Sequence, residues 1–175
     1  MKRVITVALL GALTLTPVVV RAAAAPAAPA PQPGSSDVVE DAGWALSAQL
    51  PDGAIAHHTD KREVWPYLAN FAAMGLARAT EVSRDTRYAD GAWRWLAWYQ
   101  AHQDANGYVT DYLVNGDGTL TSKGDMDSTD AYAGTFLLAA RRTFLATNDR
   151  NKLRALAPAL SAAVKAIVST QDGDK

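Results

Sequence analysis

The sequence contains no cysteine. That excludes disulfides, thiolate metal sites, a thiol nucleophile and a lipid anchor on cysteine, so an exported chain of this kind relies on its core alone. Glutamate is scarce as well. Of 18 acidic residues only Glu40, Glu63 and Glu81 are glutamates, and the other 15 are aspartates. Aspartate is a poor helix-interior residue that favours caps and turns, so the acidic groups belong to loops more than to charged helix faces. No P-loop, G-x-G-x-x-G or G-x-S-x-G motif is present. The three histidines are sparse too. His57 and His58 are adjacent in a loop without a helical ligand partner, so neither zinc nor another metal or cofactor is expected. The formal net charge of −1 points to no nucleic-acid or anionic-membrane surface.

What is present begins with a targeting pattern. Lys2 and Arg3 precede an apolar run from Val4 to Val20, closed by Arg21 and the small residues Ala22 to Ala25. Residues 1–25 therefore read as a secretory signal peptide. The apolar run is short for a membrane span and is interrupted by Thr14, Thr16 and Pro17. Residues 26–36 continue the Pro/Ala-rich stretch "APAAPAPQPGSS", which has no apolar periodicity and reads as an extended linker. One folded domain is expected over 37–175. Loss of the signal's three basic residues takes the net charge from −1 to near −4. The expected location is a bacterial periplasm or exterior, with no membrane attachment after cleavage.

Apolar periodicity predicts five helices, at about 37–48, 66–82, 86–102, 127–146 and 149–170, and almost no strand. Pro66 suits a first helical turn. In "PYLANFAAMGLA" and "AYAGTFLLAA" apolar and small residues occupy nearly every side, so the second and fourth helices should be enclosed by protein. The third and fifth are one-sided, with Arg87, Asp90, Arg94, Lys152, Arg154 and Lys165 facing outward. Alternation of this kind is expected for two layers of antiparallel helical hairpins. The long connections, Gln49 to Trp65 and Gln103 to Met126, should gather at the N-termini of the inner helices, and long loops in compact domains are commonly functional. A weak repeat marks their starts: "QLPDG" at Gln49, "QDANG" at Gln103 and "QDGDK" at Gln171, 54 and 68 residues apart. Asp-Gly is also ordinary turn chemistry.

In "QLPDGAI", "WPYLANFAAMGLARA", "WRWLAWYQAHQDANGYVTDY" and "DMDSTDAYAGTFLLAA" the chain resembles uncharacterised bacterial members of the six-hairpin glycosidase superfamily, the (α/α)₆ toroids. The resemblance covers nearly all of 37–175. It implies an all-α fold, here a partial (α/α)₆ toroid of about five helices, and a carbohydrate substrate. It assigns no nucleophile. A full toroid takes twelve helices, so this chain is expected to correspond to the N-terminal portion and to be inactive alone. Its inner helices would then lack facing partners, an apolar surface that favours self-association.

Glycoside hydrolysis uses two carboxyl groups. The candidates at the loop end are Asp130, Asp127, Asp125 and Asp111. Asp127 and Asp130 stand three residues apart, where side chains meet on one helix face and close carboxylates raise one pKa. Capping by Asp127 or Ser128 is the competing explanation. Asp111 lies between tyrosines in "GYVTDY". Substrate contacts are expected from Asp52, Trp65, Tyr67, Asn70, Tyr108, Tyr112 and Tyr132, because flat aromatic faces stack on sugar rings while amides, carboxylates and phenols bond their hydroxyls. Trp93, Trp95 and Trp98 read as packing, and Asp104 as a turn residue. The expected activity is carboxylate acid/base hydrolysis of a glycan. The alternative is a non-catalytic carbohydrate-binding or scaffold domain.

Overall fold

The computed structural model describes residues 35–58, 60–124 and 129–171. The signal and linker residues through 34, and Asp125 and Asp127, lie outside the described residues. Six helices are present among the described residues: α1 (Ser35–Ser47), α2 (Pro66–Ser83), α3 (Thr86–His102), α4 (Thr129–Thr147), α5 (Arg150–Ala155) and α6 (Ala157–Gln171). A small antiparallel sheet joins them, formed by β1 (Glu63–Val64), β2 (Tyr112–Val114) and β3 (Leu120–Ser122) in that order. The protein is all-α in class, built from antiparallel hairpins. The single fifth helix of the sequence reading is two helices. Pro158 lacks the N–H that a continuous helix would give to the Arg154 carbonyl, and the chain turns at Leu156 just before it.

Both hairpins turn in the same way. Arg84 after α2 and Asn148 after α4 adopt left-handed backbone, with φ of 62° and 53°. An aspartate follows each as the next N-cap: the Asp85 side chain accepts from Arg87 N, and Asp149 accepts from Asn151 N and Lys152 N. A left-handed residue satisfies a trailing carbonyl, and the aspartate satisfies the leading amides of the next helix.

Cross-links show how the helices run. Asn70 of α2 meets Tyr132 and Thr135 of α4, and Glu81 meets Arg142 eleven and ten residues further on, so α2 and α4 are parallel neighbours. In the other layer, Tyr88 donates to Val39 O, and Gln100 of α3 and Gln103 just after it donate to Ala155 O at the end of α5 and Ala159 O of α6. Helices α1, α3 and α6 thus run together, opposite to α2 and α4. All connections from the outer layer to the inner one emerge at the same end.

The core lies between these layers. Tyr99 and Phe136 stack at 4.1 Å, and Trp95 meets Tyr99 edge-on at 6.1 Å. Ala69, Ala73, Ala133 and Ala140 are buried and small, which lets α2 and α4 approach closely. The two inner helices are not enclosed on every side as their composition suggests. Tyr67 and Phe71 of α2 and Leu138 and Leu145 of α4 are exposed.

Candidate functional site

The sheet assembles the loop end. Glu63 of β1 pairs with Leu113 of β2, and Val64 with Tyr112, so the 49–65 connection lies directly beside the 103–124 segment. Strands of two or three residues are too short to carry a readable alternation, which is why the sequence shows almost none. Beyond the sheet, Lys123 N donates to Asp111 O at 2.8 Å and extends the pairing to the foot of α4.

Two small constellations meet there. Around Trp65, the His57 ring stacks at 4.3 Å with planes 18° apart. The indole N–H donates to Glu63 Oε2 at 2.6 Å. Lys123 Nζ lies 5.7 Å from the Trp65 ring centroid and 3.6 Å from Glu63 Oε1, so one cation serves both ring and carboxylate. Around Tyr132, the phenol donates to Asp111 Oδ1 at 2.7 Å, with both residues buried. The Tyr132 ring lies 6.3 Å from that of Tyr67, which meets Phe71 edge-on at 5.1 Å. Tyr67 and Phe71 are exposed, at 38% and 45%, and offer an open aromatic surface beside the buried pair.

Burial lowers the His57 pKa below its ordinary value, and the neighbouring His58 lowers it further. Glu63 and Asp111 pull the other way. A neutral imidazole is the favoured state, compatible with stacking on an indole. Among the described residues, no three His, Asp or Glu side chains converge to hold a metal ion.

The structure brings together four of the sequence-derived site residues: Trp65, Tyr67, Asp111 and Tyr132. Asn70 is corrected. It is fully buried in the core, where its amide donates to Tyr132 O and Thr135 Oγ1 and accepts from Trp95 Nε1, so it faces no ligand surface. Asp52 belongs to a turn, accepting from Ala54 N and from Trp98 Nε1. Tyr112 turns its ring towards Trp98 and His102 of α3. Tyr108 reaches Ser169 of α6 at 3.1 Å. Asp130 is exposed in the first turn of α4, its carboxylate accepting from Ala131 N. Trp95 and Trp98 are packing residues as read, stacked at 4.9 Å, and Asp104 closes its turn by accepting from Asn106 N and Tyr108 N.

His57, Glu63, Lys123 and Phe71 join the site without having been singled out by sequence. Glu63 and Lys123 are brought together by strand pairing across 60 positions of sequence, which no local pattern encodes.

Set against family models, curated proteins and solved structures, the chain matches none.

Proposed function

We propose that this is an exported carbohydrate-active domain, glycoside hydrolase-like in its layered hairpins, which holds a saccharide at the loop end of α2 and α4. One observation carries the reading. The parallel inner helices and the sheet bring an open aromatic surface, Tyr67 and Phe71, against a buried Tyr132–Asp111 pair and a Trp65 platform. Aromatic faces beside a few fixed polar groups are the chemistry of sugar recognition. The N-terminal pattern of residues 1–25 supports export. No helix of the described residues is long and apolar enough to cross a membrane.

Hydrolysis in this reading needs a carboxyl pair. Asp111, with Asp130, Asp127 or Asp125 as second group, is the candidate set, acting on the glycosidic oxygen as acid and on water or the anomeric carbon as base or nucleophile. A binding-only role is the second reading, and a specific feature favours it. Glu63 is engaged by Trp65 and Lys123, and Asp111 by Tyr132, so both site carboxylates have structural partners.

Calorimetry of the full chain against a panel of oligosaccharides tests binding. Tyr67→Ala is expected to weaken the best-bound member roughly tenfold, the equivalent of one lost stacking contact. Unchanged affinity would remove the aromatic surface from the site. Asp111→Asn and Asp130→Asn, assayed for reducing-end release on the same panel, test the hydrolytic reading. Wild-type turnover that is lost in either variant supports hydrolysis, whereas turnover that survives in both removes these carboxylates from the chemistry.

A further inference from the structure

The glutamine repeat has a physical meaning that the site alone does not use. Gln49 and Gln103 occupy equivalent places and make equivalent bonds. The Gln49 amide donates to Gly53 O of its own loop and to Gly91 O of the following outer helix α3, both at 2.9 Å. The Gln103 amide donates to Gly107 O of its own loop and to Ala159 O of the following outer helix α6, both at 3.3 Å. The loop backbones match too. Leu50 N donates to Ala54 O and Gly53 N to Leu50 O, as Asp104 N does to Tyr108 O and Gly107 N to Asp104 O.

The register on the receiving helix is conserved within the chain. Each accepting carbonyl lies twelve residues ahead of the next glutamine of the series, 91 before 103 and 159 before 171. Each loop glycine lies against the carbonyl nine residues ahead of that glutamine. A Cβ on Gly53 would stand 2.8 Å from Arg94 O, and one on Gly107 would stand 2.4 Å from Ala162 O. Both glycines also have positive φ, 104° and 86°, which an L side chain resists. The "QDGDK" copy departs from the pattern, since Lys175 stands where the glycine would be.

We infer that Gln49 and Gln103 are positioning residues for the loop-end site, each stapling the base of one site-bearing loop to the next outer helix. The inference rests on the proposed function for what the site binds, but not for the staple itself. The Gln49 loop carries His57, Glu63 and Trp65, and the Gln103 loop carries Asp111 and Lys123. A loop whose base is joined through one amide, by a hydrogen bond to its own glycine carbonyl and another to an outer-helix carbonyl, loses its freedom to tilt, so its distal groups arrive at fixed separations. Gln49 is buried and also accepts from Arg94, which fixes the orientation of its amide.

The test uses the full chain with Gln49→Glu and Gln103→Glu, which keep the side-chain shape but remove the donating amide. Gln100→Ala is the control. It removes a tie between α3 and the α5–α6 turn, to Ala155 O, that belongs to neither loop. Three readouts are followed: the midpoint of the His57 ring titration by NMR, affinity for cello-, xylo- and chito-hexaose, and Tm. Gln49→Glu is expected to move the His57 midpoint up towards 6.5, and either glutamate variant to weaken the best-bound hexaose about tenfold, as expected for two ordinary hydrogen bonds lost. The control is expected to change Tm alone. Glutamate variants that lower Tm like the control, while His57 titration and affinity stay as in wild type, would overturn the assignment. If no hexaose binds the wild type, the functional reading fails, and the His57 midpoint still decides the staple. Should the glutamates not fold, Gln49→Met and Gln103→Met, uncharged and without donors, decide on the same readouts.

Discussion

Asn70 joins three helices through one amide, receiving from Trp95 on α3 and donating to two groups on α4. Its replacement by alanine orphans a buried indole N–H and is expected to cost about 3 kcal/mol in chemical denaturation, the penalty of unpaired buried polar groups. Tyr99 is the opposite case. Its buried hydroxyl has no hydrogen-bond partner among the described residues, and burial pushes its pKa upward. Tyr99→Phe keeps the stack on Phe136 and is expected to be neutral or to stabilise by about 1 kcal/mol, read as a Tm no lower than wild type. His57 sets a pH dependence. Its folded pKa lies below the ordinary 6.5, first because of burial and then because of His58. The unfolded chain therefore binds the proton first as pH falls through 6.5. The contribution of His57 is complete above that value and is lost below it, until the folded ring protonates too. His57→Gln is expected to flatten the fall of Tm between about pH 6.5 and 5, the range in which histidine changes charge.

Helix starts and stops are where local sequence decides most. Pro66 opens α2, Asp85 and Asp149 cap α3 and α5, and all three positions follow from known terminal preferences. Asp149→Ala is expected to destabilise by about 1 kcal/mol in urea unfolding, since two leading amides of α5 lose their acceptor. The positions of α2 and α3 were legible because apolar periodicity and capping agree there. The division of the last helix was less so, because the apolar stripe from Leu153 to Val168 continues across Leu156 and masks the proline break. The sheet was not legible at all. Its strands are only two or three residues long, and although β2 and β3 form a local hairpin, β1 finds β2 about fifty residues away, a pairing that depends on the helices having already brought both loops to one end.

At the scale of the whole molecule, the layered hairpins leave apolar side chains facing outward. Trp44 and Phe71 line one groove of the α1–α2 hairpin, and Leu138, Leu145, Val164 and Val168 are exposed on α4 and α6. Exposed apolar side chains favour association where they lie together. Sedimentation of the full chain is expected to show a concentration-dependent rise in mass, reduced by Leu138→Lys and Val164→Lys; a strict monomer at every concentration would show that these side chains do not associate. The site divides along the same line between local and global information. Trp65, Tyr67, Asp111 and Tyr132 could be nominated from residue type and from their place at the mouths of the inner helices. Asn70, nominated on the same grounds, is a core residue, because only the arrival of α3 and α4 shows that its amide faces inward. The sequence by itself determined the helical class, the short hairpin turns and the end at which the long loops gather, since these depend on periodicity and capping within a few turns. Which side chains face one another across that end, Trp65 with His57 and Lys123, Tyr132 with Asp111, was decided only by tertiary structure, because each pairing spans a distance in sequence that a strand register or a glutamine staple must close.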